Sequence, residues 1–384
     1  MSTKGNLSWQ ILEQRSKDLL CTLDSSQSLR SPVMKPQYGL DFCSNDYLGS
    51  RTDDDLQGDI RERVLHIPFA SGGSRLLGAD HRDYQNLELQ FALWKKAPAS
   101  LFFSSGYAAN LAVGGVLRSL GACVFSDRLN HASMIDGQRT AKNGNCVVFQ
   151  HNDLEDLEDK IRTNDSDLKV ICTESLFSMG GDRAPLQELN RLAKRQHCIL
   201  VLDEAHSVGC EGEDGAGSLS RAEIDHDHII TINPCGKALG AQGAFVAGPR
   251  WFLDCLVNKG RSFIYSTAPS PWVVQALHAV LERMRSWEKK RVQLHSNMEW
   301  IRSLFLEHDI VAPTQSWIVP IVVGEDENAV RFSNALRAQG VHLAAIRPPT
   351  VPVGSAGLRL SLRSDMTAEE ISCCVRALKE TMFC

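Results

Sequence analysis

The feature that most constrains this chain is a pair of apolar runs that end on groups of opposite charge. Ile199-Leu200-Val201-Leu202 ends on Asp203, and Ile229-Ile230-Thr231-Ile232 passes through Asn233-Pro234-Cys235 into Gly236-Lys237. Short, continuous aliphatic runs of this kind fit strands buried on both faces of a parallel sheet. Open α/β sheets bind ligands beyond the carboxyl ends of their strands. A carboxylate and an amine are therefore expected together at a ligand-binding edge.

The rest of the chain supports such a sheet. Ser100–Phe103, Ala122–Phe125, Cys146–Phe149 and Val170–Thr173 read as further strands. Between them lie helical patterns. Tyr84, Leu87, Phe91 and Trp94 fall on one helical face, a helix opens at Gly106, and Leu186, Leu189, Leu192 and Ala193 form another stripe. Strands alternating with helices imply right-handed crossovers and a mostly parallel sheet flanked by helices. Residues 1–45 read as an amino-terminal helix and arm, 46–280 as the large domain, and 281–384 as a smaller α+β domain. A single helical pattern from Trp272 to about Leu306 reads as the connection, and Leu358–Leu362 as a half-buried strand with Arg359 on its polar face.

Composition narrows the partners. A net charge of −5 over 384 residues offers no basic footprint for nucleic acid. The 12 cysteines lack a C-x-x-C pair, which suits reduced thiols rather than disulfides or zinc. The histidines have no metal-ligand spacing, so no metal is expected. No apolar stretch approaches a membrane span and no secretory leader is visible, so a cytoplasmic protein is expected.

A carboxylate on one strand tip and an amine past the next can hold the two ends of a pyridine ring. The amine condenses with an aldehyde as a Schiff base, and the carboxylate keeps the ring nitrogen protonated. Asp203 and Lys237 thus fit pyridoxal 5′-phosphate (PLP). Asp203-Glu204-Ala205-His206 also spells a helicase box, but Ala238 follows Lys237 and the phosphate loop that this reading needs is missing. Asp203 also suits a simple helix cap. His206, three residues on, can reach a phenolic oxygen, and His131 can stack on a planar ring; either also suits an ordinary loop histidine. Ser104-Ser105-Gly106-Tyr107 places a helix amino terminus where a phosphate binds. Ser178 is a loop hydroxyl at a strand end. Arg359 can clamp a carboxylate or lie on an edge strand.

Seven segments together resemble the α-oxoamine synthases, fold-type I PLP enzymes that join an amino acid to an acyl thioester with loss of CO₂. They are Asp41–Gly49, Ser71–Gly78, Phe103–Asn110, Asn130–Ser133, the D-E-A-H-S run, G-K-A-L-G and Ile264–Thr267. Ala345–Gly354 resembles the branch serving biotin synthesis, which uses L-alanine and a pimeloyl thioester carried by coenzyme A or acyl carrier protein. The resemblance implies Lys237 as the Schiff-base lysine, Asp203 on the pyridine nitrogen, His131 on the ring face and His206 on the phenolic oxygen. It places Gly106, Tyr107 and Ser178 in the cofactor pocket and a neighbouring subunit's Thr267 near the phosphate. Asn45 and Arg359 would hold the amino-acid carboxylate, with Arg30 and Thr350 on the substrate side. It further implies a homodimer with the active site at its interface.

Three departures stand out. The family's usual Thr or Ser three residues before the lysine is Pro234, which offers no donor, leaving Thr231 as the substitute. Gly357 stands where biotin-pathway relatives often carry a basic residue, and the arm before Asp41 is dissimilar.

Overall fold

The structure is a computed structural model that describes residues 7–25, 29, 39–140, 145–313 and 315–383. Arg30 lies outside the described residues. In chain order the strands are β1 (Leu40–Asp41), β2 (Ala99–Phe103), β3 (Cys123–Asp127), β4 (Cys146–Phe149), β5 (Lys169–Glu174) and β6 (Ile199–Asp203). They continue with β7 (Ile229–Pro234), β8 (Ala244–Gly248), β9 (Ile318–Gly324), β10 (Val341–His342), β11 (Ala344–Ile346) and β12 (Ala356–Ser361).

Seven strands form the main sheet in the order β2-β8-β7-β6-β5-β3-β4. β7, β6, β5, β3 and β4 are parallel, whereas β8 runs antiparallel between β2 and β7. Leu200, Val201, Leu202, Ile229 and Ile232 are fully enclosed. Each such side chain contributes roughly 1.5–3 kcal/mol through burial. Apolar clusters cover both faces of the sheet, one beneath the helix Gly106–Ser119 and one beneath Leu186–Arg195. That explains the near-continuous apolar runs. β8 escapes the sequence reading because Ala244-Phe245-Val246-Ala247-Gly248, wholly buried, lacks both alternation and β-branched bulk.

Two expectations about the carboxy-terminal region are corrected. The helical pattern from Trp272 divides into Pro271–Arg283 and Glu288–Glu307. No glycine or proline marks the break, so the sequence gives no stop signal there. β12 is no half-buried edge: it lies between β11 and β9, and all six of its residues are buried. Gly357 is required by that pairing, because a Cβ there would meet the Ile321 carbonyl oxygen at 2.3 Å.

The arm reaches the far end of the chain. β1 pairs in parallel with β10, matching Leu40 to Val341 and Asp41 to His342. The segment after β1 is thereby laid against β12, where Ser361 N donates to Phe42 O at 2.9 Å. Among the described residues no helix is long and apolar enough to cross a membrane.

Candidate active site

The strand tips converge on one cleft. β2 leads to Gly106, β3 to His131, β5 to Ser178, β6 to Asp203 and β7 to Lys237, all at the same edge of the sheet. Asp203 ends β6 opposite Ile232 on β7 and is 4% exposed. Its Oδ2 accepts from Asn110 Nδ2 at 2.9 Å and its Oδ1 from Ala205 N at 2.9 Å. These bonds aim the carboxylate rather than neutralise it. Lys237 forms no ion pair with Asp203 or any other acid among the described residues. Burial lowers the pKa of its amine, while Asp203 and Glu174 resist the shift. A partly desolvated amine with a lowered pKa suits a nucleophile and base.

His131 caps the helix Ala132–Arg139, with Nδ1 2.7 Å from Ser133 Oγ and accepting from Ser133 N at 3.2 Å. The residue as a whole stays exposed. Burial by its surroundings lowers the imidazole pKa, with Asp203 opposing and Lys237 adding to the shift. His206 is enclosed, its Nδ1 2.6 Å from the Tyr47 hydroxyl. Burial holds it well below the ordinary histidine value, aided by the charges of Lys237, Arg359 and His131, so it is a neutral ring at physiological pH.

Gly106 opens the helix Gly106–Ser119, whose Ser105 hydroxyl caps Ala108 N at 3.1 Å. First-turn N–H groups have no intrahelical acceptor and favour an anion. A Cβ on Gly106 would lie 2.6 Å from Pro234 Cγ, so only glycine lets β7 approach this turn. Thr231 cannot supply the missing hydroxyl. It is fully buried, and its Oγ1 accepts from Asn233 Nδ2 at 2.9 Å. Tyr107 is exposed and its hydroxyl bonds Asp136. Thr267 is exposed beside Ser104, Ser262 and Ser266.

The other side of the cleft is built on Arg359, only 6% exposed. Its Nε donates to Ser178 O at 2.6 Å, and one terminal nitrogen donates to Asn45 Oδ1 at 2.9 Å and to Ser361 Oγ at 2.8 Å. The other faces the Tyr47 hydroxyl at 3.5 Å. Every partner is neutral, so a buried guanidinium stands without a counter-ion among the described residues. Burying an unpaired charge is costly, and a bound carboxylate would remove that cost. Thr350 is exposed on a turn where its N–H donates to Arg347 O at 3.0 Å.

The Ser178 loop is fastened from behind. His151 Nδ1 lies 3.0 Å from Asp127 Oδ1, and its Nε2 lies 2.7 Å from Asp182 Oδ2. Burial alone would lower this imidazole's pKa, but the hydrogen bonds to Asp127 and Asp182 raise it to about 9. Glu204 of the D-E-A-H run is buried against Lys95, a structural pair rather than a magnesium ligand. Glu174, Tyr47, Asn110 and His151 were missed in the sequence. Glu174 had a signal, since it ends its strand as Asp203 does.

The donor set fits PLP: an amine and a carboxylate on adjacent strand tips, an exposed histidine at a third, and a glycine-cradled helix amino terminus. Comparisons agree. The description "Aminotransferase class I and II" matches residues 38–378. The 8-amino-7-oxononanoate synthase of Lysinibacillus sphaericus is 35% identical over 97% of this chain and 96% of its own length. That of Alkalilimnicola ehrlichii is 39% identical over 89% and 88%. The solved 8-amino-7-oxononanoate synthase of Francisella tularensis superposes with a TM-score of 0.77 at 28% identity, covering 89% and 97%. A Sphingomonas wittichii serine palmitoyltransferase shares the fold with a TM-score of 0.87 at 23% identity, covering 98% of each chain.

The chain belongs to the class I and II aminotransferase family, with a fold-type I architecture, and PLP is its cofactor. Within that family it groups with the 8-amino-7-oxononanoate synthases, as an α-oxoamine synthase.

Proposed function

We propose that this enzyme condenses L-alanine with a pimeloyl thioester, giving 8-amino-7-oxononanoate, CO₂ and the free thiol, as a step of biotin synthesis. The observation that carries the reading is Arg359, a buried guanidinium surrounded only by neutral acceptors beside the Asp203–Lys237 tips. When bound, PLP supplies an electrophilic carbon and an electron-withdrawing ring that lowers the barrier to forming a carbanion at the amino acid's Cα.

The chain's own residues do the rest. Arg359 and Asn45 would bind the alanine carboxylate and so orient Cα toward the Lys237 amine. The Lys237 amine, its pKa lowered by burial, removes the Cα proton and later returns one. Asp203, held by Asn110 and Ala205, would keep the bound ring's nitrogen protonated. His131 would stack on the ring, while neutral His206, tied to Tyr47, would offer it a hydrogen bond. Thr350 lines the acyl side. Attack on the thioester expels the thiol, and the resulting β-keto acid loses its carboxyl group as CO₂.

A homodimer fits the first helix, Leu7–Ser25, on which Leu7, Trp9 and Leu12 are all more than half exposed. The likeness to a serine palmitoyltransferase supports a second reading, but the identity to 8-amino-7-oxononanoate synthases is higher.

Side-by-side turnover decides between them. The panel pairs L-alanine with pimeloyl-coenzyme A and with pimeloyl-acyl carrier protein, L-serine with a palmitoyl thioester, and glycine with acetyl and succinyl thioesters. Fastest turnover of an alanine–pimeloyl pair is expected. Faster turnover of any other pair overturns the substrate reading.

A further inference from the structure

The cleft floor holds one acid that this reaction leaves unused. Glu174 ends β5 and pairs in register with Asp203 on β6, so both carboxyl groups leave the sheet on the same face. It is 3% exposed. The backbone N–H groups of His131 and Ser178, in the two loops that flank the ring site, face its carboxyl group. Its Oε1, by contrast, has no hydrogen-bond partner among the described residues. Leaving such an atom unpaired in a dry site is costly.

The charges around it fix its form. Asp203 faces it from β6, Lys237 from beyond β7, and the His131 and Ser178 loops contribute N–H groups. Burial, then the Asp203 charge, raises the Glu174 pKa to about 8, against Lys237 and the two N–H groups. Two carboxyl groups side by side in a dry floor do not both ionise cheaply. With Asp203 committed to a ring nitrogen, the proton falls to Glu174. A buried acid that carries a proton has an O–H to donate. No protein acceptor meets it.

We propose that Glu174 is a second acid of the site, a neutral carboxylic acid whose free O–H is completed by the hydroxyl-bearing edge of the bound PLP ring. This rests on the cofactor and not on the acyl substrate, so it stands or falls separately from the turnover panel.

The test measures cofactor affinity of the apoenzyme by equilibrium dialysis and visible absorbance. The ligands are PLP and an analogue lacking the ring hydroxyl; the proteins are wild type, Glu174→Gln and Glu174→Leu. At neutral pH the amide donor of Glu174→Gln should keep PLP affinity within about threefold of wild type, whereas Glu174→Leu should lose about tenfold or more. For the analogue, wild type and Glu174→Leu should bind alike. Raising the pH through about 8 should weaken PLP binding to wild type, because the ionised acid no longer donates, and leave Glu174→Gln unaffected. An equal loss for both ligands in Glu174→Leu, or a Gln variant as weak as the Leu variant, overturns the proposal. If Glu174→Leu does not fold, the pH arm decides alone: identical pH dependence in wild type and Glu174→Gln contradicts it.

Discussion

The two halves of the cleft are built in opposite ways. The cofactor half stands on consecutive strand tips of one sheet, with Asp203 and Lys237 positioned by the register of β6 against β7. The Arg359 half is assembled from three pieces distant in the chain. Arg359 of β12 is held by Asn45 and Tyr47, which follow β1, and by the Ser178 carbonyl in the loop after β5. The first half needs only a formed sheet. The second needs β12 seated against the segment after β1 and the Ser178 loop, so it is the half that local damage should disable without releasing the cofactor.

The largest effect expected from that comparison is at Arg359. Arg359→Ala should cost about 2–5 kcal/mol in kcat/KM for the amino acid, as for truncation of a buried charge pair. PLP affinity should stay within a small factor of wild type. An equal loss in both quantities would merge the halves into one unit.

A smaller effect is expected at the clamp between them. His151 holds Asp127 and Asp182 with a pKa raised to about 9 from the usual 6.5. Its stabilisation is therefore complete below pH 6.5 and lost as the pH rises through about 9. With His151 and Asp182 partly exposed and Asp127 buried, about 1–3 kcal/mol is at stake. Chemical denaturation from neutral to alkaline pH should show this loss in wild type and not in His151→Gln. Equal pH slopes in the two proteins would contradict it.

The smallest effect is at Pro234, inside the cofactor half. Pro234→Thr should tighten PLP by about 0.5–1.5 kcal/mol, the value of one net hydrogen bond. An unchanged dissociation constant would show that another donor already serves the phosphate.

Legibility follows the same division. β6 and β7 are readable because burial on both faces demands unbroken Ile, Leu and Val, and the change to Asp or Gly-Lys marks the strand ends. The helix carrying Tyr84, Leu87 and Phe91 is readable from its spacing, and all three are buried. Arg359 is readable as a residue type but not as a buried one. Its cover comes from β1 pairing with β10, a contact that no local pattern encodes. Tyr47 and Asn110 were missed for the same reason, since each acts on a partner far along the chain. Glu174 was missed because its strand end was read one residue short, at Thr173.

The central claim is that Lys237, at the tip of β7, is the amine that carries the cofactor. Borohydride reduction of the yellow holoenzyme followed by peptide mass spectrometry tests it most directly. The pyridoxyl mass should fall on the peptide containing Lys237, and Lys237→Ala should take up no label. Labelling of any other lysine in the wild-type protein would contradict the account.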